Sequence, residues 1–298
     1  MTIPAVRTPE ERFEGLPGFA FRPSYREALG LRLAHLDEGA GPPVLFLHGE
    51  PTWSFLWRKV LPPVLDAGFR CVVPDLPGFG RSDKPVESRW YTFDRHTEAV
   101  ASLLADLDLR DATLVAHDWD GPIGLRLAVE QPQRFGRLVL MDTGAFTGQQ
   151  RMSDGWLRFR DYVARTEDLP IGWLVRRGCL HDPGDEVAAA YDAPFPEPAA
   201  KAGAKAFPGL IPLTPDAPGA EIGRRTLAGL RERPRPTLIL WGEADNALPM
   251  VLADLLSAVL GVERPPTRLA AGHYLQEDQG PEVGRLIADW LTGNEARA

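Results

Sequence analysis

Short, nearly unbroken apolar runs separated by longer amphipathic stretches set the rhythm of this chain. Val44–Leu47, Cys71–Val73, Thr113–Ala116, Leu138–Met141 and Leu238–Trp241 have strand length and no polar alternation, as suits strands buried on both faces. Helical patterns follow at about 55–66, 94–108, 121–131, 249–260 and 280–291. Strands alternating with helices in this way predict an α/β class, a mainly parallel sheet flanked by helices. Between about 146 and 230 the rhythm changes: Gly, Pro and Ala become frequent, Trp156 and Trp173 appear, and no comparable strand run interrupts. This stretch reads as a helical cap, 146–230, inserted after the sixth strand of a core made of 1–145 and 231–298.

Composition narrows the setting. The 298 residues fit one large α/β domain with an insertion. A net charge of −8 supplies no basic field, which sets nucleic acid aside as a partner. Cys71 and Cys179 lack metal-ligand spacing and read as reduced thiols, which points to the cytoplasm. The N-terminal residues have no apolar core of signal-peptide length, and no stretch is apolar enough to span a membrane.

The chemistry concentrates in Leu114-Val115-Ala116-His117-Asp118-Trp119-Asp120-Gly121. This run reads as a buried strand turning sharply into a helix, with Asp118 where many hydrolases carry serine. A carboxylate there attacks carbon directly and forms an ester. Ala116 satisfies the need for a small residue two places before the nucleophile, whereas Asp120 stands two places after it, where glycine is usual. The helix dipole tolerates an acid in that first turn, and repulsion from Asp118 is expected to raise one of the two pKa values. Alone, Asp118 would be an ordinary helix N-cap.

Its partners lie elsewhere in the chain. His48-Gly49-Glu50-Pro51 follows the run at 44–47 and can aim a backbone N–H into the site as half of an oxyanion hole. Leu240-Trp241-Gly242-Glu243-Ala244-Asp245 places an acid just beyond a strand, and Ala270-Ala271-Gly272-His273-Tyr274 places a histidine beyond the last one. Nucleophile, acid, histidine is the α/β-hydrolase order, with His273 as base and Asp245 holding its tautomer. Asp142, after the preceding strand, is a competing acid ranked behind Asp245. Period-two alternation turns His117 away from Asp118 toward packing or hydrogen bonding, and His35, His96 and His181 show no partner pattern. The Asp75–Ser82 loop has glycines but neither a phosphate-binding lysine nor Rossmann spacing, and reads as a structural turn. Trp119 follows the nucleophile, so its amide can complete the oxyanion hole and its donor-only indole can face a departing halide.

At these residues the chain resembles the haloalkane dehalogenases, closest to the subfamily carrying His-Gly-Glu-Pro with its acid after the seventh core strand. The resemblance extends through His48–Arg58, Asp75–Pro85, Ala190–Pro196 and Gly272–Glu277. It implies the α/β-hydrolase fold with an inserted cap. It assigns Asp118 as nucleophile, His273 as base, Asp245 as its acid and the amides of Glu50 and Trp119 as oxyanion donors. It gives the Trp119 indole to the halide. A second halide-binding tryptophan is expected early in the first long cap helix, where this chain has Phe159; Trp156, three residues earlier and near the same helix face, is the substitute.

The expected reaction is hydrolysis of a small apolar haloalkane to alcohol and halide through an alkyl-aspartyl ester, a chemistry that requires no metal or organic cofactor. The enzymic rival is an epoxide hydrolase, which needs cap tyrosines; Tyr162 and Tyr191 are those available. A non-catalytic α/β-hydrolase scaffold is the rival from another class.

Overall fold

The computed structural model describes residues 3–294. Eight strands form the main sheet: β1 (Ser24–Ala28), β2 (Leu31–Glu38), β3 (Pro43–Leu47), β4 (Arg70–Pro74), β5 (Ala112–Asp118), β6 (Phe135–Thr143), β7 (Thr237–Gly242) and β8 (Thr267–Leu269). Their spatial order is β1-β2-β4-β3-β5-β6-β7-β8. β2 runs antiparallel to both neighbours and the remaining pairings are parallel. The central strands are the apolar runs of the sequence: Val44–Leu47, Leu114–Ala116 and Val139–Met141 are wholly buried. That burial needs helices on both faces, and two groups supply them.

The helices follow in chain order: α1 (Leu61–Asp66), α2 (Phe93–Asp106), α3 (Asp120–Glu130), α4 (Asp154–Arg165), α5 (Ile171–Gly178), α6 (Asp185–Asp192), α7 (Ala202–Ala206), α8 (Ala220–Glu232), α9 (Val251–Leu260), α10 (Leu275–Asp278) and α11 (Gly280–Thr292). α1 packs on α11, while α2, α3, α8 and α9 pack in succession against one another. The helix expected over 55–66 is broken. A 3-10 turn, Ser54–Lys59, precedes α1, whose first turn holds Pro62 and Pro63. Proline fits a first helical turn but cannot extend a ladder arriving from before it.

Between β6 and β7 the chain runs through α4 to α8 without a strand. Two hydrogen-bond ties lock this segment to the strand ends. Ser153 Oγ caps α4 by accepting from Trp156 N at 3.0 Å and donates to Ala247 O at 2.7 Å, in the loop after β7. The carbonyl of Gly178, closing α5, accepts from His273 N at 2.8 Å. None of the helices among the described residues is long and apolar enough to cross a membrane.

Candidate active site

The C-terminal ends of β3, β5, β6, β7 and β8 meet beneath the α4–α5 segment. Asp118 ends β5 with φ +50°, a left-handed conformation rare for a residue with a side chain. Such strain marks a sharp strand-to-helix turn that thrusts the side chain out of the sheet. Gly121, one turn on, lacks the Cβ that would sit 1.7 Å from Thr143 Oγ1. That space lets Thr143 donate to the Asp118 carbonyl at 2.5 Å, pinning the turn from β6.

Glu50 N donates to Asp118 Oδ2 at 3.0 Å, and the Trp119 amide bonds the same carboxylate. Asp118 Oδ1 lies 3.7 Å from His273 Nε2, beyond a direct hydrogen bond. His273 Nδ1 meets Asp245 Oδ2 at 2.8 Å, and the other Asp245 oxygen accepts from Ala247 N at 2.7 Å and Leu248 N at 3.0 Å. The structure therefore brings Asp118, His273, Asp245, Glu50 and Trp119 together. They border a cavity of about 330 Å³ that Trp156 and Phe159 of α4 also line. Trp119 is wedged between Phe207, at 5.4 Å between ring centres, and Phe146 at 6.1 Å.

Charge is rationed here. Burial pushes the Asp118 carboxyl up, against the His273 charge and the two amides that favour its anion. Burial pushes Glu50 and Asp120 well up as well, each reinforced by the charge of Asp118. Asp120 is fully buried at the start of α3, and neither of its oxygens meets a hydrogen-bond partner among the described residues. Burial opposes charge on His273, but Asp245 and then Asp118 overcome it and raise the imidazole to about 9.

Some contributors had no partner assigned to them in the sequence. His117 Nε2 lies 2.8 Å from the His273 carbonyl oxygen. Burial, then the His273 charge, pushes His117 well down; because a carbonyl oxygen only accepts, Nε2–H donates that bond. Glu277 accepts from Arg58 at 2.5 Å and 2.9 Å, from Lys59 at 2.9 Å and from Tyr191 Oη at 2.5 Å. This buried cluster ties the turn after His273 to the segment after His48 and to α6. Tyr191 is thus engaged away from the cavity, and Tyr162 is 38 % exposed beside Trp173. Asp75, in the Gly/Pro loop, accepts from Ser54 N and Arg81 N, each at 2.8 Å, and braces that turn.

The α/β-hydrolase-fold family model matches residues 42–279. A haloalkane dehalogenase of Mycolicibacterium paratuberculosis is 40% identical over 293 residues, covering 96% of this chain and 97% of that protein. One of Psychrobacter cryohalolentis is 38% identical over 299 residues, covering 97% and 98%. The solved tetrameric haloalkane dehalogenase of Paraglaciecola agarilytica superposes with a TM-score of 0.90 at 37% identity, covering 95% of this chain and 97% of that one. With an Asp-His-Asp constellation at the strand ends and full-length similarity of this degree, the chain belongs to the haloalkane dehalogenase family of the α/β-hydrolase fold.

Proposed function

We propose that this chain hydrolyses haloalkanes to an alcohol and a halide ion through an ester on Asp118. The observation that carries the reading is the division of labour on one carboxylate. Asp118 Oδ2 is held by the Glu50 amide, while Oδ1 lies 3.7 Å from His273 Nε2. In the first step Oδ1 attacks the halogen-bearing carbon; the C–O bond forms as the carbon–halogen bond breaks. The N–H groups of Trp119 and Trp156 hold the departing halide in an apolar surround. Water then gives a proton to His273 Nε2 and attacks Asp118 Cγ. The amides of Glu50 and Trp119 bear the charge that develops on the held oxygen. Collapse breaks the Cγ–Oδ1 bond; the leaving alkoxide takes the added hydroxyl's proton and departs as the alcohol, the carboxylate is restored, and His273 passes its proton to solvent.

The order of steps tunes the base. While Asp118 is ionised, its charge helps hold the His273 proton. Esterification removes that charge and the imidazole pKa falls, so the base becomes competent when the ester needs it. Asp245 keeps the Nδ1–H oriented.

The helices over the cavity, 146–230, act as the cap that keeps the site dry, and the substrate is a small uncharged haloalkane suited to a chamber of about 330 Å³. The two free cysteines support a cytoplasmic setting. An epoxide hydrolase is not favoured, because the Tyr191 hydroxyl is spent on Glu277. Bromide release from short bromoalkanes that disappears in Asp118→Asn supports the reading; bromide release undiminished in that variant overturns it.

A further inference from the structure

Asp142 closes β6 directly behind the acid of His273. It is fully buried, and its backbone is left-handed at φ +39°, a strain that a residue with a side chain keeps only where its neighbours impose it. Its oxygens share a single donor, the Gly242 N–H, at 3.1 Å and 3.3 Å. The charged groups that face it are Asp245 and Asp118, both carboxylates.

The Asp245 side chain is wholly excluded from solvent, and three donors reach it: His273 Nδ1 and the amides of Ala247 and Leu248. A carboxylate has about four acceptor sites, so one remains, and the Asp142 carboxyl is in hydrogen-bond contact with it. Two buried carboxylates in contact, with only Asp245 facing the His273 imidazolium and Asp118 close by, would be strongly unfavourable. One of them carries a proton. Asp245 bears the His273 imidazolium, so the proton belongs on Asp142.

We propose that Asp142 is a positioning residue of the dehalogenation reaction: its carboxyl O–H donates to the Asp245 carboxylate and completes a His273–Asp245–Asp142 chain. Burial, then the charge of Asp245, pushes its acidity in the matching direction. The donated bond fixes the Asp245 plane and spreads its negative charge, which sets how tightly His273 holds its proton. The proposal rests on the reading of Asp245 as the acid of His273.

Asp142→Asn keeps a donor N–H and an acceptor oxygen in the same outline; Asp142→Leu keeps neither. Rates of ester hydrolysis are measured across pH, beside an infrared difference spectrum of wild type against Asp142→Asn at neutral pH. Asp142→Leu is expected to lose at least about tenfold, the worth of a hydrogen bond to a charged group. Its acidic limb shifts to higher pH, because an Asp245 stripped of its donor holds the His273 proton more tightly. Asp142→Asn is expected to lose at most about threefold, with that limb in place. The infrared difference is expected to contain a carboxylic-acid carbonyl band from Asp142. A carboxylate band instead, or an Asp142→Asn as impaired as Asp142→Leu, overturns the proposal, and the infrared result stands even if Asp142→Leu fails to fold. Loss of halide release in Asp118→Asn reads the underlying assignment separately.

Discussion

A single methyl group added at Gly49 is expected to disable Asp118, the proposed nucleophile, without disturbing the fold. The new Cβ would lie 2.5 Å from Asp118 Cβ and 2.7 Å from Oδ2, where ordinary contact begins at 3.4 Å. Relief requires a relative shift of about 0.9 Å, taken between the turn after β3 and the carboxylate that the Glu50 amide holds. Displacement of about 1 Å costs about 10²-fold in rate, and loss of one oxyanion donor costs about 10²–10³-fold. Gly49→Ala should therefore lower kcat for bromide release from 1-bromobutane by about 10²-fold, or roughly 3 kcal/mol. Gly49 is not in the left-handed region, so the backbone itself accepts alanine. Thermal unfolding measured alongside should remain cooperative. A folded Gly49→Ala that keeps its rate within about threefold would refute the claim that this turn sets the nucleophile.

Three further outcomes are expected. The His273 imidazole, raised to about 9 by Asp245 and Asp118 against burial, should titrate at lower pH in Asp118→Asn when followed by NMR; an unchanged midpoint would deny that the nucleophile's charge holds its proton. Because that pKa exceeds the unfolded value of 6.5, the stabilisation is complete below 6.5 and is lost as pH rises toward about 9, so the wild-type melting temperature should fall across that window. Trp119→Phe and Trp156→Phe should each weaken bromide binding by about tenfold, read by fluorescence quenching, and bromide affinity untouched in Trp156→Phe would remove that residue from the halide site. Glu277→Ala leaves Arg58, whose side chain is 2 % exposed, without its buried partner, and should cost about 3–5 kcal/mol in urea unfolding; a loss below about 1 kcal/mol would show the cluster to be dispensable.

Asp118, Asp245 and His273 were legible in the sequence because each follows an apolar run, and strand ends are where a parallel sheet presents chemistry. The Trp119 amide was legible by adjacency alone. What stayed hidden depends on residues far apart in the chain. The bond from His117 to the His273 carbonyl spans 156 positions and that from Arg58 to Glu277 spans 219, with no local periodicity to announce either. Asp142 was visible as a rival to Asp245, but the rivalry dissolves once β6 and β7 lie side by side, since both acids occupy one buried contact. The β1–β2 hairpin was also missed among the apolar runs. Ser24–Ala28 is an edge strand with mostly exposed residues, and its marker was the Leu29–Gly30 turn, both residues at positive φ. Asp120 was recognised as an acid crowding the nucleophile; its complete burial follows from α3 packing against the sheet, which no local pattern encodes.

The most direct test of the account is to stop the reaction between its two steps. His273→Gln cannot take the proton from water, so it should release one equivalent of bromide from a bromoalkane and then stall. Mass spectrometry should find one added alkyl group, carried by the peptide containing Asp118. Stalled protein with no adduct, or an adduct on any other residue, would contradict an ester on Asp118 as the intermediate.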